Sequence, residues 1–66
     1  MNFDIEFERE TDGRWIAEIE SLPGVMAYGS TKEEAAAKVE ALALRVIADR
    51  IECERTTVDH VQFAMA

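Results

Sequence analysis

The sequence predicts an α+β domain of order β-β-β-α-β: an antiparallel meander, one long helix packed on one face, and a final strand. Three observations lead there. Residues 2–9 alternate apolar and polar side chains without a break. A capping box at Thr31-Lys32-Glu33-Glu34 opens a stretch free of glycine and proline that runs to about Glu52. Alternation then returns beyond Thr56-Thr57.

In the first segment Phe3, Ile5 and Phe7 point one way and Asp4, Glu6 and Glu8 the other, the period of a half-buried strand. Glu10-Thr11-Asp12-Gly13 is a turn, signalled by Asp-Gly. Residues 14–20 resume the alternation, with Trp15, Ala17 and Ile19 set against Arg14, Ile16, Glu18 and Glu20. The two strands thus make a hairpin with a core face and an acidic face. Leu22-Pro23-Gly24 opens a second turn. The apolar run Val25–Tyr28, bounded by glycines, reads as a third strand, and Gly13, Gly24 and Gly29 all read as turn residues.

In the capping box the threonine hydroxyl meets the backbone N–H three residues on, and Glu34 reaches back. Ser30 and Glu33 repeat the spacing one residue earlier, so the helix start is defined to within one residue. Acids in the first turn suit the helix dipole. Ala35, Val39, Leu42 and Val46 form one helical stripe, widened by Ala43 and Ile47. Leu44 and Ile51 lie off it and point to a second buried face, between molecules. The last strand is expected at about residues 58–64, with Val61, Phe63 and Met65 opposed to His60, Gln62 and Ala64. A long helix between strands returns the chain parallel to a strand of the same sheet.

At 66 residues the chain is a single domain, residues 1–66. A domain this small buries only about 60% of the surface its unfolded chain exposes, and so has a thin core. Disulfides, a metal or association are the usual remedies. Cys53 is the sole cysteine and His60 the sole histidine, which leaves association, and a homo-oligomer is expected. No apolar run approaches the roughly 18 residues a membrane span needs. The N-terminus has neither a basic start nor a continuous apolar stretch, so no export signal is expected. With a lone thiol, that places the chain in a reducing cytoplasm.

The formal net charge is −7, with 14 acidic residues against 7 lysines and arginines. Nucleic-acid binding requires a basic surface that displaces phosphate counterions. This chain carries the opposite field, which repels DNA and RNA and attracts a basic protein. Residues 1–20 hold seven acids and two arginines, and so carry five of the seven net negative charges. Asp4, Glu6, Glu8, Glu18 and Glu20 are therefore the candidate partner-binding residues.

No catalytic, cofactor-binding or metal-ligating residues are assigned. The sharpest enzymatic reading is a metal-dependent nuclease, with Asp4 or Glu6, Glu33 or Glu40, and Asp59 holding a divalent cation. Ordinary amphipathic spacing accounts for these acids without a metal. His60 has no neighbour in sequence that would orient it as a base. Cys53 lies between Glu52 and Glu54, acidic neighbours that do not suit a reactive nucleophile. Trp15 shares the core face with Ala17 and Ile19. Strand acids also keep a sheet soluble and block edge pairing, the plain alternative to a docking role for the acidic face.

Taken in order, Asp12-Gly13-Arg14-Trp15, Ile19-Glu20-Ser21-Leu22-Pro23-Gly24 and Tyr28-Gly29-Ser30-Thr31-Lys32-Glu33-Glu34-Ala35 resemble the HicB-like antitoxin family. That family's pattern has an Asp-Gly turn with an aromatic strand and then a Leu-Pro-Gly turn. A glycine and a capped Thr-x-Glu-Glu-Ala helix start follow. The resemblance covers about residues 3–50. It implies a partial ribonuclease-H-like fold, with the meander, the helix and a last strand beside the first, and without the catalytic acids of true ribonucleases H. It also implies a protein that occludes a small, basic, mRNA-cleaving HicA-like toxin, and assembly as a dimer or tetramer. Val25 stands where the family often has cysteine. No helix-turn-helix or ribbon-helix-helix region lies within these residues, so direct operator binding is not expected. The expected function is that of a non-enzymatic, cofactor-free antitoxin of a type II toxin–antitoxin system. The alternatives are a stand-alone oligomeric binding domain and the metal nuclease.

Overall fold

A computed structural model describes residues 1–65. Its elements are β1 (Asn2–Arg9), β2 (Trp15–Glu18), β3 (Met26–Gly29), α1 (Lys32–Glu54) and β4 (Gln62–Met65). The strands form one mixed sheet in the order β3-β2-β1-β4. β1 pairs antiparallel with β2, and β2 with β3, whereas β4 runs parallel to β1 with Phe3 opposite Phe63. The expected β-β-β-α-β architecture, with the last strand beside the first, is the one observed. β4 begins and ends a little later than its alternation indicated, because Val58 and Val61 belong to the approach rather than to the ladder. The approach is tied down where the N-terminal amine donates to the His60 carbonyl at 3.0 Å and the Gln62 amide to the Met1 carbonyl at 2.8 Å.

The core lies between α1 and one face of the sheet. Phe3, Ile5, Ala17 and Ile19 meet Ala35, Val39, Ala43 and Ile47, while Leu22 and Val25 close one end. Phe63 stacks on Phe3 with centroids 5.8 Å apart. Trp15 is half-buried against this core, as its face predicted, and Lys32 Nζ lies over both Trp15 and Phe7. Among the described residues no polar or charged side chain is buried.

The two turns follow from their residues. Gly13 N–H donates to the Glu10 carbonyl at 2.9 Å, and Val25 N–H to the Leu22 carbonyl at 3.0 Å. In the second turn Pro23 precedes Gly24 at φ +84°, the left-handed position that a proline-glycine turn places on glycine. Gly29 has a different role from the turn residue its sequence neighbours imply. It ends β3 against the first turn of α1, where a Cβ would lie 2.5 Å from the Ala35 amide nitrogen. The side chain is absent so that helix and sheet can meet.

Geometry settles which residue caps the helix. Thr31 is extended, and its hydroxyl accepts the Glu34 N–H at 3.1 Å. The returning Glu34 carboxylate accepts from the Ser30 N–H at 3.2 Å, one residue before the cap. The same carboxylate pairs with Lys38 at 3.4 Å. These donors hold the Glu34 pKa below its ordinary value, the Ser30 N–H first and Lys38 next.

With 23 residues, α1 is about 34 Å long and runs past the short strands, which makes the molecule elongated, 42 × 18 × 16 Å. Ile51 turns back and packs on the core, unlike the intermolecular face expected for it, whereas Leu44 is 47% exposed. No helix among the described residues is long and apolar enough to cross a membrane.

Candidate functional site

The sheet face opposite α1 is built by alternation. Because Phe3, Ile5 and Ala17 turn toward the helix, Asp4, Glu6, Glu8 and Glu18 must turn away, and all four are exposed. Strand pairing adds what alternation alone does not. Glu6 lies directly opposite Glu18, so two like charges face each other across β1 and β2. Glu20, just past the end of β2, brings its carboxyl within hydrogen-bond reach of Glu6. All five candidate acids thus share one surface. Asn2, Asp4, Glu6, Glu20 and Ser21 line a shallow groove at one end of it.

Glu6 records this crowding. Its pKa is raised above 4.5, first by the hydrogen bond with Glu20 and by the Glu20 charge, then by partial desolvation and by Glu18 and Asp4. The folded chain therefore binds a proton at a pH where the unfolded chain has released it. Stability falls as pH rises from about 4.5 through the raised value, and the loss is complete above it. Asp12 and Glu34 act in the opposite direction. The Arg14 N–H and guanidinium hold Asp12 down, and Ser30 and Lys38 hold Glu34 down. Their contributions are present above the ordinary values of 3.8 and 4.5 and are lost as pH falls through the lowered ones. Glu6→Gln removes the crowded charge. Its melting temperature should exceed that of the parent near neutral pH, and the gap should close toward about pH 4 as Glu6 itself protonates. A gap that stays constant between about pH 4 and 7 would show that Glu6 carries no such repulsion.

The same face holds side chains that composition hides. Ile16 is opposite Glu8 on one side and Tyr28 on the other, and Met26 is opposite Glu18. Met26 and Tyr28 are 41% and 42% exposed, and Ile16 is half-buried. The Arg14 guanidinium lies 4.8 Å from the Tyr28 ring centroid and pairs with Asp12 at 2.9 Å. The signal in the sequence was Ile16, the one apolar residue on the acidic side of its strand. Tyr28 and Met26 became its neighbours only through the β2–β3 register.

The other chemistry-bearing residues do not join this face. Glu33 and Glu40 are on α1, across the sheet from Asp4 and Glu6, and Asp59 is exposed in the approach to β4. Among the described residues no three acidic, histidine or cysteine side chains converge as a metal-ligand set. His60 is exposed, with its carbonyl occupied by the N-terminal amine. Cys53 is exposed near the end of α1, and its thiol donates to Asp49 Oδ1 at 3.7 Å.

Fold and face together define a small α+β domain with one sheet surface covered by its own helix and the other left to solvent and strongly acidic. No family model, no curated protein and no solved structure matches the chain.

Proposed function

We propose that this chain is a non-enzymatic HicB-like antitoxin domain that acts in the cytoplasm. It captures a small basic HicA-like toxin on the open face of its sheet and blocks the toxin's access to mRNA. The observation that carries this reading is the convergence of Asp4, Glu6, Glu8, Glu18 and Glu20 on one exposed surface, where Glu6 is crowded by like charges. Such a field speeds encounter with a basic protein and disfavours nucleic acid. The parallel β1–β4 pair and the single covering helix agree with the partial ribonuclease-H-like fold that the sequence motifs imply. Self-association as a dimer or tetramer is part of the proposal. It draws on apolar surface away from the acids, where Leu44 and Met65 are 47% and 51% exposed.

The test is co-expression with the product of the adjacent gene, which the proposal expects to be a short basic protein. That protein alone should arrest growth and cleave mRNA. With this chain present, growth should return and the two should copurify. Arrest that persists despite expression of both chains would refute the antitoxin reading.

A further inference from the structure

We propose that Ile16, Met26 and Tyr28 form an apolar anchor site within the acidic face, which takes a large apolar side chain from a basic amphipathic segment of the partner. The inference rests on the docking role proposed above and specifies the chemistry of the segment that docks.

Three strands supply one feature here. Ile16 sits on β2 between Glu8 of β1 and Tyr28 of β3, and Met26 lies beside Glu18. The patch is apolar and open, yet it is bordered on the β1 side by Glu6 and Glu8 and along β2 by Glu18. An apolar centre with a charged rim is the anatomy of a protein contact surface. Tyrosine is also a side chain that interfaces favour as an anchor. The Arg14 guanidinium lies over the Tyr28 ring and pairs with Asp12, so a cation–π contact borders the patch on one side.

Charge decides what covers the patch. A second copy docking through this face would do so isologously and bring the same acids against themselves, between chains of formal charge −7. Like charges placed together across an interface oppose association. A segment that alternates lysine or arginine with large apolar residues meets both parts of the surface. Its apolar side chain covers Ile16, Met26 and Tyr28 while its cations reach Glu6, Glu8 and Glu18. A purely basic segment meets only the rim.

Two synthetic peptides of equal length and equal positive charge separate these contributions by calorimetry on the full chain. One contains lysine, glycine and serine. The other replaces some of its uncharged residues with leucine and one tryptophan, alternating with its lysines. The second should bind about tenfold more tightly, as expected for burying one large apolar side chain. Met26→Thr with Tyr28→Thr keeps residue types suited to an exposed strand. This variant should lose that advantage and bind the lysine-glycine-serine peptide as the parent does. Equal affinity of the parent for both peptides, or an advantage that survives in the double variant, overturns the anchor site. So does a fall in oligomeric state in the variant by sedimentation, which assigns the patch to a second copy. Reversal of Asp4, Glu8 and Glu18 to lysine should weaken both peptides. If it weakens neither, the docking role itself fails, whereas failure of the anchor alone leaves that role standing.

Discussion

Replacing Asp4, Glu8 and Glu18 together by lysine should strongly weaken capture of a basic partner while leaving the fold at least as stable as before. The three exchanges bring the formal net charge from −7 to −1 and turn the acidic face into a mixed one. Encounter rates steered by charge change by factors of about 10 to 1,000, so a loss of about 100-fold in affinity at low salt is expected. The effect should shrink as added salt screens the surface over about 10 Å or less. Stability should move the other way. Glu6 is opposite Glu18, is flanked by Asp4 along its own strand, and has its pKa raised in part by both. With lysine at those two positions Glu6 gains cations where it had like charges. The choice of residues matters for this reason: reversing Glu6 and Glu18 together would only replace an acidic clash by a basic one. Affinity measured by calorimetry and melting followed by circular dichroism check the two halves separately. Unchanged affinity at low salt would falsify the electrostatic docking role.

Gly29→Ala should be the most damaging single-methyl change in the chain. The added Cβ would sit 2.5 Å from the Ala35 nitrogen and 3.0 Å from both Ala35 Cα and the Glu34 carbonyl carbon. All three are backbone atoms of the first helical turn, so no side chain can rotate out of the way. Relief requires α1 to shift away from β3, which opens the contact made by the buried Ala35 and Ala36. Overpacking of this kind costs about 3 kcal/mol. A core of this size supplies only about 3–5 kcal/mol in total, so the variant should be largely unfolded at physiological temperature. The melting temperature should fall by roughly 15 °C, from a shift of about 4–8 °C per kcal/mol in domains this small. Gly24→Ala is the comparison. A methyl there meets nothing within 4 Å but is strained at φ +84°, and a smaller loss, about 1 kcal/mol, is expected. Equal losses at the two glycines would show that the helix start yields to the methyl.

The contrast between Gly24 and Gly29 shows how far sequence reading extends. Gly24 follows proline in a recognisable turn pair, a signal contained in adjacent residues. Gly29 is required by a contact between β3 and the helix start, and Ser30-Thr31 beside it reads as part of the same turn whether or not that contact exists. Ile51 is a similar case. Counted along an ideal helix it falls off the apolar stripe, yet it packs on the core. The helix cap was legible to within one residue, and the hydroxyl of Thr31 decided between the two registers.

For the candidate site the division is equally physical. Which side each strand residue faces depends only on a period of two, a local property. The sequence by itself therefore determined that Asp4, Glu6, Glu8 and Glu18 oppose the core and that a capped helix covers that core. Lateral neighbours depend on register, turn geometry and the path of the helix, which are non-local. Only the tertiary structure brought Glu20 to Glu6, set Glu18 across from Glu6, and gathered Ile16, Met26 and Tyr28 into one patch. Residues separated by a turn became neighbours because the strands paired, and pairing is settled by burial of the opposite face.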